Sequence, residues 1–234
     1  MRTLLTSFVW LCLLSLLSAG HSVNEPSVRE NILFDFDWEF HKGDVLGAEN
    51  SYFDVTSWRK VDLPHDFSIE DIEGSKSPFD STAVAGLNVG FTKGGTAWYR
   101  KEFEVPDEWR QKRVEICCEG AYMNTDVWVN GAHIGNHPQG YTQFQFDITD
   151  LLVCGQKNTI AVQIKNEGSN SRLYSGSGLY RHVWLNVTNP LYIPTNGTYI
   201  VSSQVSDKAA KVTIETILKN DYDTDKEITL ETTI

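Results

Sequence analysis

Cysteine is scarce, helical periodicity is almost missing, and no apolar run is long enough to cross a membrane. Of four cysteines in 234 residues, Cys12 lies inside an N-terminal apolar segment. Cys117, Cys118 and Cys154 remain, too few and too odd in number for a disulfide-stapled fold, so the protein must rely on a packed core. Cys117 and Cys118 are neighbours in a strand-like run and point to opposite faces. Cys118 shares its face with Val114 and Ile116 and reads as a small core hydrophobe. A Cys118–Cys154 bridge stays open. Positive charge is also short: 20 Lys and Arg against 31 Asp and Glu give a net charge of −11, which repels phosphate backbones and anionic lipid surfaces. We therefore expect no nucleic-acid and no membrane partner.

Several chemical motifs are absent as well. Gly176 and Gly178 start a dinucleotide-like pattern, but Arg181 stands at the third glycine position and no helix follows. There is no Gly-Lys-Ser/Thr phosphate loop, no Gly-x-Ser-x-Gly elbow and no His-Glu-x-x-His helix. No cofactor and no metal are expected. His133 and His137 are four apart, but the second sits between Asn136 and Pro138, so both read as solvated loop histidines rather than as a metal pair.

Residues 1–20 read as a secretory signal peptide. Arg2 supplies a short positive region, Phe8 to Leu17 an apolar run, and Ser18-Ala19-Gly20 the small residues for cleavage. The run falls short of the ~20 apolar residues of a membrane-spanning helix. The mature protein is expected to be exported, to the periplasm or the extracellular space, without a lipid anchor.

What is present is apolar and aromatic: 41% of residues are hydrophobic and 12% aromatic, enough to bury a core. After residue 30 the dominant signal is period-two alternation in short runs separated by Gly, Asn, Asp and Pro. Strands are expected at Leu33–Phe40, Trp98–Val105, Arg113–Glu119, Thr125–Val129, Ala132–Gly135, Gln143–Ile148, Asn158–Lys165 and His182–Val187. This is an all-β chain of the sandwich type. Asn130-Gly131, between apolar runs, predicts a type I′ hairpin turn. Asn189-Pro190 marks a boundary, and residues 190–234 offer strands at Thr198–Val205, Lys211–Leu218 and Glu227–Ile234. An immunoglobulin-like sandwich takes about seven strands and roughly 100 residues. The second module is thus expected to be the N-terminal part of a truncated one, and the chain a fragment.

Two segments carry candidate chemistry. Val61 to Ile69 places Pro64-His65-Asp66 where the chain leaves a sheet. His65 and Asp66 either border a ligand cleft or hydrogen-bond loop backbone and fix a turn. Asn170 to Leu185 sets small residues between aromatic ones, with Arg172 and Tyr174 projecting from a tight turn. Aromatic rings cover the apolar C–H faces of sugars while guanidinium or amide groups donate to hydroxyls, so the segment suits a sugar; alternatively Tyr174 packs on the sandwich and Arg172 pairs with a carboxylate.

Five ordered motifs then converge: Leu63-Pro64-His65-Asp66-Phe67-Ser68-Ile69-Glu70, Gly95-Thr96-Ala97-Trp98-Tyr99-Arg100-Lys101, Asp126-Val127-Trp128-Val129-Asn130-Gly131, His137-Pro138-Gln139-Gly140-Tyr141-Thr142 and Tyr174-Ser175-Gly176-Ser177-Gly178-Leu179-Tyr180-Arg181. Over residues 31–189 this pattern resembles the N-terminal sugar-binding domain of family-2 glycoside hydrolases, particularly the bacterial β-galactosidase branch. Residues 190–234 resemble the start of the immunoglobulin-like domain that follows. The resemblance implies a jelly-roll-like β-sandwich, an incomplete immunoglobulin-like β-sandwich, and a (β/α)₈ barrel that would need about 250 further residues. It implies a retaining exo-glycosidase acting on terminal β-galactosides or related glycosides, with two barrel glutamates about 5–5.5 Å apart. No residue of this chain, neither Glu119 nor Glu167, is then catalytic, and the chain alone is expected to be inactive. The family position that reaches the barrel mouth falls on Arg172. Leu173 replaces the tryptophan that follows it in some relatives. Tyr174, His65 and Asp66 complete the substrate-binding candidates, the latter two in support of the loop. The rival readings are a free-standing carbohydrate-binding or adhesion module and a purely structural interaction domain.

Overall fold

The computed structural model describes residues 29–169 and 176–233. In chain order its strands are β1 (Arg29–Leu33), β2 (Trp38–Lys42), β3 (Arg59–Val61), β4 (Gly95–Val105), β5 (Arg113–Cys118), β6 (Thr125–Val129) and β7 (Ala132–His137). They continue with β8 (Phe144–Asp147), β9 (Gln156–Asn166), β10 (Val183–Thr188), β11 (Leu191–Tyr192), β12 (Thr198–Ser203), β13 (Lys211–Thr216) and β14 (Lys219–Asn220). A four-stranded sheet runs β1-β10-β5-β8 and a six-stranded sheet runs β3-β2-β4-β9-β6-β7, all pairs antiparallel. The all-β sandwich expected from alternation is what the chain forms.

Period two explains the core. From β10, Val183, Leu185 and Val187 point inward; from β5, Val114, Ile116 and Cys118; from β9, Ile160, Val162 and Ile164. Each fully buried side chain of this size stabilises the fold by about 1.5–3 kcal/mol. The alternate residues of β4 and β9 are not left to solvent. Trp98 and Ala161 are covered by the 45–58 segment through Ala48, Phe53 and Trp58, so these central strands are buried on both faces. Arg100 lies on that covered face at 4% exposure, with its guanidinium donating to the Ala48 carbonyl.

Asn130 and Gly131 adopt φ of 50° and 82°, the type I′ geometry that the dipeptide predicts. Tertiary structure adds to this turn. The Asn130 amide donates to the Leu151 carbonyl and to Asn158 Oδ1, both at 2.7 Å, and its oxygen accepts from the Thr159 amide at 2.9 Å.

Three expectations require correction. Leu33–Phe40 is not one strand. β1 belongs to one sheet and β2 to the other, and Phe34–Asp37 crosses between them, with Asp37 at φ 58°. The sequence alternates through the crossing, but the structure does not: Phe34 and Trp38 enter the core while Asp35 is buried and Phe36, of the same parity as Phe34, is 55% exposed. Glu227–Ile234 is not a strand over its described residues; Ile228 and Leu230 are 43% and 49% exposed and the segment pairs with no sheet edge there. His137 ends β7 instead of sitting in a turn, and His133 and His137 take separate partners, Asp126 Oδ1 at 2.9 Å and Thr142 Oγ1 at 3.0 Å. The short strands β3, β11 and β14 carry too few residues to show a period.

Cys117, Cys118 and Cys154 are free thiols. Burial pushes the Cys117 thiol up to about 11 and that of Cys118 higher still, which makes both poor nucleophiles.

The crossing is tied to β10 by the buried Asp35. Its Oδ1 accepts from the Val183 amide at 2.9 Å, and its Oδ2 lies 2.6 Å from His182 Nδ1. The hydrogen bond to Asp35 raises the pKa of His182 above the ordinary 6.5. A raised folded value means that this contribution is complete below the ordinary histidine range and disappears as pH rises through the folded value. His182→Asn is therefore expected to cost more stability at about pH 5.5 than at about pH 8.5 in urea unfolding; equal costs at both would refute the assignment.

Candidate functional site

β9 ends at Asn166, the described residues continue to Ser169, and they resume at Gly176. Arg172 and Tyr174 lie outside the described residues. What the structure gives is the frame on either side of residues 170–175.

The outgoing segment, 177–179, is clamped from two directions. On one side His65 N donates to the Leu179 carbonyl and Phe67 N to the Ser177 carbonyl, both at 2.8 Å. On the other, Tyr122 and Gly178 exchange backbone hydrogen bonds at 3.0 and 3.1 Å. Gly178 sits at φ 141°, and a Cβ there would lie 2.3 Å from the His65 carbonyl oxygen and 2.6 Å from Tyr99 Oη. The close approach demands glycine.

Asp66 locks the clamp. Its Oδ1 accepts from Ser68 N at 2.9 Å, Ser68 Oγ at 2.6 Å and Ser177 N at 2.9 Å. Asn166 Nδ2 donates to Ser177 Oγ at 2.6 Å, so the strand end before the loop and the chain after it are joined directly. The His65 ring is fixed at both nitrogens, by Tyr99 Oη at 2.7 Å from Nδ1 and Glu70 Oε1 at 2.9 Å from Nε2. Burial pushes the Tyr99 hydroxyl well above its ordinary value and holds it neutral. Glu70 is pushed up by burial, yet hydrogen bonds from His65 and Arg59 pull it below the usual carboxylate range. Tyr180 Oη donates to the Gly140 carbonyl at 2.8 Å, which brings the His137–Thr142 motif to the same place.

Beside this frame a cleft of about 280 Å³ opens between residues 82–95 and the end of β9, with Thr82, Val89, Lys93, Asn166 and Glu167 on its walls. Lys93 pairs with Asp80, and that pairing together with Thr82 Oγ1 and N holds the Asp80 carboxyl well below the usual range. Glu167 accepts from Thr96 Oγ1 at 2.7 Å. The cleft mixes apolar walls with Lys93, Asn166 and Glu167, and residues 166–168, just before the undescribed stretch, line it.

His65 and Asp66 bond the backbone of Leu179 and Ser177, and neither lines the cleft. Sequence reasoning quoted Tyr99 and Glu70 inside motifs without assigning them partners. It passed over Asn166, whose one signal is its place at a strand end four residues before Asn170.

With this geometry in place, the protein is an antiparallel β-sandwich with a cleft at the end of its central strands. Residues 56–190 match the family model described as glycosyl hydrolases family 2, sugar binding domain, and the chain belongs to that family. It is 40% identical over 215 residues to the beta-galactosidase BoGH2A of Bacteroides ovatus, covering 92% of this chain and 25% of that protein. It is 32% identical to a beta-glucuronidase of Formosa agariphila, covering 89% and 23%. A glycosyl hydrolase family 2 structure from Bacteroides cellulosilyticus superposes with a TM-score of 0.76 at 45% identity, covering 80% of this chain and 24% of that one. The chain spans about a quarter of the length of these curated relatives.

Proposed function

We propose that this chain is the sugar-binding and scaffold portion of an exported β-galactosidase-like exo-glycosidase acting on terminal β-glycosides. Arg172 and Tyr174, on the loop at 170–175, contact the terminal sugar at the cleft, and His65 and Asp66 set where that loop leaves the sandwich. Hydrolysis itself belongs to a pair of barrel carboxylates in polypeptide outside these residues, by double displacement. Residues 1–20 direct export, and residues 190–234 begin an immunoglobulin-like module between the sandwich and the barrel. The observation that carries this reading is the hydrogen-bonded clamp of Asp66, Asn166 and Ser177 beside the cleft. Relatives named as both a beta-galactosidase and a beta-glucuronidase support a β-glycoside substrate, and kinship to the first favours galactose.

The test is direct. The purified chain is expected to release no chromophore from p-nitrophenyl β-galactoside or β-glucuronide above the buffer rate. Turnover by these residues would overturn the proposal, because it would place a complete acid–nucleophile pair inside the sandwich.

A further inference from the structure

We propose that the outer face of the four-stranded sheet carries a second carbohydrate site, which takes a short neutral β-linked glycan and is separate from the cleft beside the 170–175 loop. The proposal takes its ligand class from the sugar-handling reading above, but its geometry is independent of it.

The register builds this face. Ile32, Leu185, Ile116 and Phe146 turn inward, so their neighbours turn outward in rows. One row places Leu33, Trp184, Cys117 and Gln145 side by side; the next places Asn31, Asn186, Glu115 and Asp147. The result is one indole beside a band of amides and carboxylates. The linker at 193–198 stands along this face, held by Arg29 donating to the Ile193 carbonyl and by Thr195 Oγ1 donating to Glu115 Oε2 at 3.2 Å. Between linker and sheet lies a groove of about 560 Å³, with Trp184, Asn186, Asn31, Gln143, Glu119 and Thr195 on its walls. That volume is within the range of small-ligand sites, about 300–1,000 Å³.

Two features point to a ligand. The first is Asn186, a residue 9% exposed whose side chain stands on the wall of the groove. Its amide can both donate and accept, as a sugar hydroxyl does in return. The second is Trp184, a partly exposed indole held in place before any ligand arrives. Its Nε1 donates to Glu119 Oε1 at 2.9 Å, and the His182 ring packs edge-on at 6.1 Å. A fixed aromatic ring flanked by amides matches a hexose, whose C–H face is apolar and whose rim is hydroxyl. Glu115 and Glu119 beside the groove, on a chain of net charge −11, disfavour uronate or sulfated sugars. The groove and the cleft share no lining residue and sit on different sheets, so each is expected to bind independently of the other.

The experiment follows intrinsic tryptophan fluorescence and titration calorimetry of the purified chain with β-1,4-galactotetraose and cellotetraose. Saturable millimolar binding is expected, weakened at least tenfold by Trp184→Leu, about fivefold by Asn186→Ala, and unchanged by Lys157→Ala, an exposed residue of β9 that lines neither the groove nor the cleft. If Trp184→Leu loses the cooperative urea transition, Gln143→Ala decides in its place, since Gln143 is exposed and precedes β8; a loss of threefold or more is expected. No binding by the wild-type chain, or binding indifferent to the groove variants, would overturn the proposal. Chromogenic turnover would sink the functional reading above and leave this one standing.

Discussion

Gly178→Ala is expected to lower the stability of the sandwich by about 3 kcal/mol, the upper end of what overpacking and a forbidden backbone angle cost. At φ 141° an L side chain is strained before it meets anything, and here it meets backbone: the His65 carbonyl oxygen at 2.3 Å. A flexible side chain would swing aside, but the 65–67 segment is itself hydrogen-bonded to 177–179. Relief therefore requires the two segments to separate, which breaks the bonds that position the loop at 170–175. Urea unfolding of the variant should show a midpoint shift with little change in slope. Wild-type stability in Gly178→Ala would mean that the clamp is not rigid.

The second large effect is expected from Asp66. Its Oδ1 serves two backbone amides and one hydroxyl, on Ser68 and Ser177, and these serines are 3% and 0% exposed. Asp66→Ala leaves those donors without an acceptor in a place that water reaches poorly. At about 1–3 kcal/mol for each buried unpaired group, a loss of about 3 kcal/mol or more is expected. Asp66→Asn retains one carbonyl oxygen and should recover roughly half of it. Amide exchange gives a local readout, because the Ser68 and Ser177 amides should lose protection in Asp66→Ala before the Ile160–Ile164 amides of β9 do. Uniform loss across the sheet would assign Asp66 a general structural role in place of control over the loop's base.

These positions also show where reading the sequence stops. The hairpin at Asn130-Gly131 was legible because type I′ angles are a local demand that two adjacent residues meet. Strands β4, β5, β6, β9 and β10 were legible because one face of each enters the core, which writes period two into the chain. Leu33–Phe40 misled for the same reason: Phe34 and Trp38 are both in the core, and alternation does not record that the chain changes sheets between them. At the candidate site, His65, Asp66 and the Ser-Gly-Leu-Tyr segment stood out as motifs, whereas Asn166 did not. A strand-end asparagine carries no periodic signal, and its bond to Ser177 exists only once β9 is placed beside the returning chain.

Composition and alternation alone determined an all-β sandwich without a disulfide framework, and the five ordered motifs placed it in its family. Both follow from short-range rules of side-chain spacing and turn geometry, which any window of the chain displays. The tertiary structure decided which loops meet. Asp66 reaches Ser177 across 111 positions, Glu119 reaches the indole of Trp184 across 65, and both sites are made of such pairs. Partner choice at that separation is fixed by how two sheets stack and which strands become neighbours, a property of the packed core as a whole and of no local stretch of sequence.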